Sequence, residues 1–401
     1  MRRMIRNLAV LFPRGVIRWL LRDEFSDTRA AGAVDGTPAT PGPGTRTVQD
    51  PDGVVSISGG NYVSAGGSTV FAQNIYYPAI TRVAGTVLVA IKTSTLTAGR
   101  DRIGFHGAES GCAASTFVGF YGSDFSVDAV AAELNVQATP ATATGIVAVV
   151  LGTAGGYHFC HTSGGWLLIY SNRRDATATL YPCITLDRSL ETHGWIRIPA
   201  ERWLPTPAAF DSFSRADGAL GVSEIWGPDN QTVTARVWNN RVGTTLVATT
   251  AAQASALVGG IAIATVNTGT VNAITGATLT RAGNEVGVVL RYVNADNYIR
   301  AIHDGTNCKL VKRVAAAETD VISAVMALGA GAIRVIPDGT AFRLFLNDAA
   351  VGVVSTINDA VLQTGTEQGL FSTNVGNTQD RFLVMARGSN GEYAALNKWS
   401  F

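Results

Sequence analysis

Charged residues are scarce in this sequence. They make up 15% of the 401 residues, whereas a soluble domain usually contains about 25%. No run of about 18 uncharged apolar residues occurs either, so no membrane span is predicted. Cysteine is limited to four residues without a CxxC pair, which indicates neither a zinc ribbon nor a disulfide framework. We expect buried free thiols, with one bridge within the first half as the alternative.

Catalytic motifs are also missing. Glycoside hydrolysis needs two carboxylates across a groove, but the glutamates are scattered singly and no Glu-x-Asp-x-x-Glu run occurs. No nucleophile elbow or phosphate-binding loop is present. The densest group of metal-capable side chains is His158-Phe-Cys-His161, yet on a strand His161 would point away from His158 and Cys160. The sequence therefore predicts no catalytic residues, no metal ligands and no enzyme.

Basic residues are concentrated at the N-terminus, where six arginines precede the first acidic residue, Asp23. Removing these six from the 31 basic residues leaves 25 against 30 acidic ones. The rest of the chain has no basic stripe of the kind that phosphate contacts need, so we predict no nucleic-acid partner.

Residues 1–22 form a predicted leader. Its apolar run Leu8–Phe12 is too short for a signal peptide, which needs about 7 to 15 apolar residues, and Pro13-Arg14 interrupts it. Spacings of three and four predict a short amphipathic helix, which is marginal alone and needs a surface to pack on. That surface is the first domain, another protein or a membrane. The residues expected to anchor the leader are Arg2, Arg3, Met4, Ile5, Leu8 and Phe12.

From residue 23 onward the apolar pattern has a period of two. Tyr298–His303 and Cys308–Val314 are predicted strands, and Asp304-Gly305 forms the turn between them. Further strands are predicted at Val54–Ile57, Gly85–Ile91, Gly145–Leu151, Gly165–Tyr170, Ala332–Ile336 and Ala341–Leu346. A helical period is limited to the short stretch Ala251–Leu257. Short strands at this spacing are typical of β-sandwiches.

A repeated phrase divides the chain. Asp211-Ser-Phe-Ser-Arg-Ala-Asp-Gly-Ala-Leu-Gly221 opens the second half, and Asp23-Glu-Phe-Ser26 echoes its start. We expect Phe213 and Leu220 to face the core, the glycines to permit tight turns, and an aspartate to accept backbone N–H groups. The predicted segments are a leader (1–22), a first β-sandwich (23–198), a Pro-rich extended linker (199–207), a second β-sandwich (208–387) and a docking tail (388–401).

The phrase is followed by Trp226 and Trp238, by a hairpin from Asn297-Tyr298 to Lys312, and by the strand Arg381–Val384. In these features, over roughly residues 200–387, the chain resembles the concanavalin A-like (laminin G-like) jelly-roll modules of bacteriophage structural proteins. The first half lacks the Arg-x-Asp-Gly-x-Leu-Gly turn. The resemblance implies an all-β fold of two tandem antiparallel sandwiches and a non-enzymatic virion protein, foremost a tail or fibre adhesin. The alternatives are a capsid decoration protein or, in another class, a secreted polysaccharide-active enzyme or carbohydrate-binding module.

Partners follow from the same resemblance. A phage adhesin binds other virion proteins, here through the leader, contacts a host-surface glycan, and is commonly a homo-oligomer such as a trimer. Related lectin-like modules often hold calcium, for which Asp50-Pro-Asp52 and Asp101 offer carboxylates; no other cofactor is implied. Sugar contact relies on exposed aromatic faces beside polar groups. The candidates for glycan contact are Tyr157, Trp166, Tyr170, Trp226 and Trp238.

Overall fold

Antiparallel β-strands account for most of the structure. The computed structural model describes residues 17–66, 73–96, 101–109, 114–121, 124–128, 133–171, 176–186, 191–388 and 393–400. Within these ranges, helix is limited to the 3₁₀ segments Ala360–Gln363 and Ala394–Leu396 and to the short α1 (Asn397–Ser400). None of the described helices is long and apolar enough to cross a membrane.

The first sandwich consists of two packed sheets. Its described strands are β1 (Trp19–Asp23), β2 (Thr47–Gln49), β3 (Val55–Ser58), β4 (Asn61–Ser64), β5 (Gln73–Tyr76), β6 (Ile80–Thr81), β7 (Val87–Lys92), β8 (Asp101–His106), β9 (Ala114–Tyr121), β10 (Asp124–Asp128), β11 (Glu133–Ala138), β12 (Ala143–Leu151), β13 (Gly156–Thr162), β14 (Gly165–Ser171), β15 (Thr179–Leu186) and β16 (Thr192–Pro199). The first inner sheet has the order β14-β13-β12-β7-β16-β4-β3, with β1 also on β16. The first outer sheet has the order β11-β10-β9-β8-β15-β5-β2, with β6 also on β15.

The second sandwich repeats this arrangement. Its described strands are β17 (Ala209–Asp211), β18 (Gly218–Ala219), β19 (Asn239–Val242), β20 (Thr244–Ala248), β21 (Ala251–Ala256), β22 (Ala262–Asn267), β23 (Ala273–Thr280), β24 (Val286–Asn294), β25 (Asn297–His303), β26 (Asn307–Val314), β27 (Ala317–Val325), β28 (Ala332–Asp338), β29 (Ala341–Leu346), β30 (Ala349–Thr356), β31 (Glu367–Ser372) and β32 (Thr378–Ala386). The second inner sheet has the order β30-β29-β28-β23-β32-β21-β20-β18, with β17 also on β32. The second outer sheet has the order β27-β26-β25-β24-β31-β22-β19.

The strand orders show that the two sandwiches share one topology. In each inner sheet the last strand of the sandwich, β16 or β32, lies inside the sheet and also pairs with the first strand, β1 or β17. Side chains of both sheets form each core: Val89 and Ile103 belong to the core of the first sandwich, and Leu290 and Val335 to that of the second. Two tandem antiparallel β-sandwiches, predicted from the sequence, are therefore confirmed.

A buried aspartate fixes the chain at the end of β1. Asp23 accepts the backbone N–H of Phe25 at 3.0 Å, and Phe25 has a φ of 48°. Arg46 donates to both oxygens of Asp23, at 2.6 and 2.7 Å, and the Tyr77 hydroxyl donates at 2.9 Å. Because the carboxylate is fully buried, these charge-assisted hydrogen bonds replace the water that it has lost.

The second sandwich has the same arrangement at Asp211. This carboxylate accepts the N–H of Phe213 (φ 53°) at 2.8 Å and the indole N–H of Trp238 at 2.8 Å. Arg215 donates to both of its oxygens, at 2.6 and 3.0 Å. Phe213 and Leu220 are buried in the core, which confirms the roles predicted for the repeated phrase.

The two sandwiches pack against each other. Side chains on the face of the second inner sheet that points away from its own core join the core cluster of the first sandwich: Ile274, Ile336, Phe345 and Met385. The Tyr170 ring lies 5.6 Å from that of Phe345, and its hydroxyl donates to Asp348 at 2.6 Å. The linker also takes part, because the Trp203 N–H donates to the Gly85 carbonyl at 2.8 Å. The linker thus contacts the first sandwich and is not only a spacer.

The first sandwich begins earlier than the sequence suggested. Trp19 lies opposite Pro199 and Asp23 opposite Ile196, because β1 pairs with β16. Leu21 is buried in the core. Residues 17–22 therefore belong to the sandwich, and the predicted leader shortens to residues 1–16, which lie outside the described ranges.

The C-terminal tail packs on the first sandwich. Tyr393, Leu396 and Trp399 are buried, the Tyr393 ring lies 5.0 Å from that of Phe159, and the Trp166 indole N–H donates to Asn397 at 2.9 Å. The expected contact of this tail with its own chain is thus present in the described residues 393–400.

Two smaller expectations have different outcomes. Cys160, Cys183 and Cys308 are buried free thiols as predicted, and Cys112 lies outside the described residues. The stretch with a helical period, Ala251–Leu257, contains strand β21, because its first four small side chains alternate between half-buried and buried when paired with β20.

Candidate functional site

Four of the five aromatic residues predicted to contact a glycan are buried. Tyr157, Trp166, Tyr170 and Trp238 are each at most 7% exposed, because another part of the chain covers them. Tyr157 donates to Asp229 of the second sandwich at 2.6 Å, while the tail, the second inner sheet and Asp211 engage the other three. These four cannot stack on a sugar in this conformation, which corrects the prediction.

Trp226 differs from the other candidates. It is 57% exposed, in the irregular segment between β18 and β19, and the neighbouring Ile225 is 53% exposed. It is therefore the one candidate of the five whose aromatic face can meet a ligand.

An open cleft lies on the solvent face of the second outer sheet. Its volume is about 790 Å³, within the usual range for ligand sites. This face is separate from the core, since Tyr298 and Phe371 belong to a cluster of their own while Ile299 and Leu370 point into the sandwich. The polar groups that line the cleft are Asn284, Glu285, Arg300, Asp304, Thr306, Asn307, Arg313, Glu318 and Thr373.

Strand register places the central side chains of the cleft. Tyr298 on β25 lies opposite Arg313 on β26, which in turn lies opposite Glu318 on β27, so the three form a row on one face. Arg300, two residues beyond Tyr298, points to the same face. Its guanidinium lies 4.6 Å from the centre of the Phe371 ring, in cation–π contact.

Arg300 and Glu318 form the charged centre of the cleft. Arg300 donates to both oxygens of Glu318, at 2.6 and 2.9 Å, and its Nη2 lies 3.3 Å from Glu285. Arg313 donates to Glu318 as well, at 2.9 Å. The Arg300 Nε is buried and has no hydrogen-bond partner among the described residues. Paired charges on three adjacent strands give the cleft fixed donors and acceptors.

The two glutamates have pKa values shifted in opposite directions. Burial raises the pKa of Glu285, and the negative charges of Glu318 and Asp304 add to this against the effect of Arg300. Burial acts to raise the pKa of Glu318 too, but hydrogen bonds and charges from Arg300 and Arg313 outweigh it, so the pKa lies below its ordinary value. At neutral pH, Glu318 is held as a carboxylate by two guanidinium groups.

The turn between β25 and β26 forms one wall. Asp304 accepts the N–H groups of Thr306 and Asn307, at 2.9 and 2.7 Å, and the Lys309 ammonium at 3.0 Å. Burial acts to raise the pKa of Asp304, but these hydrogen bonds hold it well below its ordinary value. The predicted Asp-Gly turn is present, and its capped backbone presents Thr306 and Asn307 to the cleft.

The metal-capable residues named from the sequence do not converge on one ion. His158 and Cys160 are buried, and burial lowers the pKa of His158 to about 3. The Asp50 carboxylate accepts the N–H groups of Val54 and Val55, at 3.0 and 2.7 Å. Asp52 accepts the Gln73 amide at 2.9 Å, so both carboxylates of that loop are engaged within the chain.

Within the described residues, one set of metal-capable side chains does come together. Asp101, Glu191 and His193 have ligand atoms within 4.8 Å of one another. The ammonium of Lys92 lies 3.6 Å from Asp101 and 3.3 Å from Glu191, where a cation would otherwise bind. We therefore assign no metal to this set. The predicted anchoring residues Arg2, Arg3, Met4, Ile5, Leu8 and Phe12 lie outside the described ranges.

Sequence reasoning missed the cleft, although a signal for it was present. The hairpin around Asp304-Gly305 was predictable, and continuing its register from the turn places Tyr298 opposite Arg313. Glu285 and Glu318 give no such signal, because neither lies in a motif.

No family model and no curated protein matches this sequence. Similar solved structures include a carbohydrate-binding module, CBM66, from Bacillus subtilis, at 15% identity over 37% of this chain and 95% of that one, with a TM-score of 0.32. A GH43 protein from Bacillus licheniformis is similar at 11% identity over 93% of this chain and 99% of that one, with a TM-score of 0.27. A structure of botulinum neurotoxin type C, a protein whose cell entry depends on interaction with two ganglioside molecules, is similar at 9% identity over 86% of this chain and 98% of that one, with a TM-score of 0.28. Similarities this low carry no argument about function.

Proposed function

We propose that the chain is a non-enzymatic bacteriophage virion protein, a tail or fibre adhesin component whose second sandwich binds host-surface glycans. The cleft on the second outer sheet carries this proposal. Its amide, hydroxyl, carboxylate and guanidinium groups match the hydrogen-bonding needs of sugar hydroxyls. Arg300, Arg313 and Glu318 stand on paired strands that hold them in place. The virion assignment rests on the resemblance of the repeated phrase to phage structural modules.

The charged centre favours binding over hydrolysis. A glycosidase needs one carboxylate free to attack or to activate water while the other donates a proton. Both oxygens of Glu318 accept hydrogen bonds from Arg300 and Arg313, so this carboxylate is committed to holding the guanidinium groups. A polysaccharide-active enzyme is therefore the weaker alternative.

Binding to printed bacterial O-antigen, capsular and teichoic-acid glycans tests the proposal. For a glycan that the wild type retains, Glu318→Gln should weaken binding tenfold or more, about 1.4 kcal/mol, because Arg300 and Arg313 lose the anion that orients them. Glu201→Gln is the matched control, since that carboxylate is exposed and outside the cleft. Equal binding by wild type and Glu318→Gln, or release of reducing sugar ends by the wild type, would contradict the proposal.

Attachment to the particle is assigned to the leader. Because β1 begins at Trp19, a deletion of residues 1–16 removes the predicted anchoring residues and leaves the first sandwich whole. The truncated chain should fold but fail to enter particles. The location of the full-length chain, in the tails or in the heads of the virion, distinguishes an adhesin from a capsid decoration protein. Normal occupancy of the truncated chain would mean that attachment lies elsewhere. We also propose a homo-oligomer, a trimer by analogy with phage appendages.

A further inference from the structure

A cluster of ionisable side chains lies in the interior of the first sandwich. Lys92 ends β7 of the inner sheet, Asp101 begins β8 of the outer sheet, and Glu191 and His193 stand at the start of β16. All four are at most 2% exposed. An amine and a carboxylate from the two opposing sheets are thus brought together away from water.

The distances give each member of the cluster a distinct place. The Lys92 Nζ donates a hydrogen bond to Glu191 Oε1 at 3.3 Å and lies 3.6 Å from Asp101 Oδ2. On the other side, the His193 Nε2 lies 3.1 Å from the same Oδ2. The amine therefore stands beside a carboxyl group, with a proton acceptor, Glu191, at the nitrogen and the imidazole of His193 next to the carboxyl oxygen.

We propose that Lys92 and Asp101 form an isopeptide bond that joins the two sheets of the first sandwich. Glu191 accepts a proton from the Lys92 ammonium, and the amine attacks Cγ of Asp101. The Nζ–Cγ bond forms, the Cγ–Oδ2 bond breaks, and Oδ2 leaves as water with two protons, both of which come from the Lys92 ammonium by way of Glu191. An ammonium and a carboxylate become one amide and one water, so charge and atoms balance and no oxidant or cofactor is consumed.

The dry surroundings favour this reaction. Two buried charges are costly to keep, and a neutral amide removes both of them. Amide formation is also favoured where the water molecule that it releases can leave the site and bulk water does not enter. Among the described residues, the equivalent end of the second sandwich has no such cluster, and the Oδ1 of the buried Asn377 instead accepts the N–H groups of Ala282 and Gly283, at 2.8 and 3.0 Å.

The intact mass of the denatured full-length chain tests the proposal. The wild type should be lighter than its sequence by one water molecule, and peptide mapping should find a branched peptide that joins Lys92 to Asp101. Lys92→Arg should restore the full mass, because a guanidinium does not attack the carboxyl group. Glu191→Gln should also restore it, because the proton acceptor is gone. Lys309→Arg is the matched control and should keep the deficit, since Lys309 pairs with Asp304 in the second sandwich.

Other outcomes overturn the proposal. A folded wild type of full mass leaves an ordinary ion pair, and a native mass that includes a metal ion means that Asp101, Glu191 and His193 bind it. A deficit that persists in Lys92→Arg places the lost water elsewhere in the chain. If Glu191→Gln does not fold, Lys92→Arg decides alone, because it keeps the positive charge of the cluster.

Discussion

Each sandwich pairs a buried aspartate with an arginine, but the two arginines come from different positions relative to their aspartates. Asp211 is paired with Arg215, four residues later, whereas Asp23 is paired with Arg46, 23 residues later, after the Pro-rich loop. Both sandwiches share the backbone turn and the positive φ of the phenylalanine. In both, an aromatic side chain also donates a hydrogen bond to the aspartate, from the Tyr77 hydroxyl or the Trp238 indole. The fold thus requires a cation at one point in space and leaves its place in the sequence free. A missing local motif in the first half did not mean a missing interaction.

The sandwiches also differ at the corresponding edge strands β14 and β30. In the first sandwich, the Leu168 N–H of β14 donates to the Arg387 carbonyl at 2.8 Å, and the tail lies alongside. In the described residues, β30 pairs only with β29, and its Val353 is 80% exposed. The C-terminal segment of the second sandwich therefore completes the first one and leaves its own edge open.

Removal of residues 390–401 should have the largest effect on this comparison. Burial of Tyr393, Leu396 and Trp399 contributes about 1.5 to 3 kcal/mol each, so the melting temperature should fall clearly. The rate of amide hydrogen exchange should rise in β13 and β14 of the first sandwich, although the tail comes after the second sandwich in the sequence. Lys398→Ala, which removes only an exposed ion pair with Glu201, should change little. Unchanged stability and assembly after the deletion would show that the tail contact is not formed.

Removal of the buried aspartates compares the two arginine pairs directly. Asp23→Ala should cost about 3 to 5 kcal/mol, because it leaves the fully buried guanidinium of Arg46 without this partner. Asp211→Ala should cost less, because the Arg215 side chain is 28% exposed and can still reach water. Urea unfolding of the full chain measures both, with the exposed Asp35→Ala and Asp217→Ala as controls. Equal losses would mean that the exposure of the arginine is irrelevant.

Acid should weaken the first sandwich before the second. Burial lowers the pKa of His106 and of His158 to about 3, with the charges of Arg102 and Arg334 adding to it. Folding therefore keeps both neutral, and the stability that they contribute is complete above about pH 6.5 and is lost as the pH falls toward 3. At pH 5 the loss is roughly 2 kcal/mol for each histidine.

Hydrogen exchange resolved by sandwich can follow this acid effect, and His158→Gln should flatten the pH dependence of the first sandwich. In the second sandwich, the lowered pKa of Glu318 makes its contribution complete above about pH 4.5 and lost below it. Parallel loss of protection in both sandwiches between pH 6.5 and 5 would contradict this difference.

Much of the fold could be predicted from the sequence, but most of the site could not. The strand Ala341–Leu346 coincides with its prediction, since alternating residues and flanking turns fix both its ends. The burial of Tyr157 and Tyr170 could not be predicted, because a half-polar strand face has the same sequence pattern whether water or a second sandwich covers it. The cleft depends on Arg300 and Glu318, which are close only through the register of three strands.

The position of the first and last strands decides how the chain carries mechanical load. Trp19 at the start of β1 lies opposite Pro199 at the end of β16, and Ala209 at the start of β17 lies opposite Val384 of β32. A pull on the N-terminus against the linker therefore acts across one strand pair and separates its ends first. Since the hydrogen bonds of an antiparallel pair run perpendicular to the strands, such a pull acts along these bonds and breaks them one after another. Tension thus peels away β1, together with the buried Leu21, before the other strands of the first sandwich bear force.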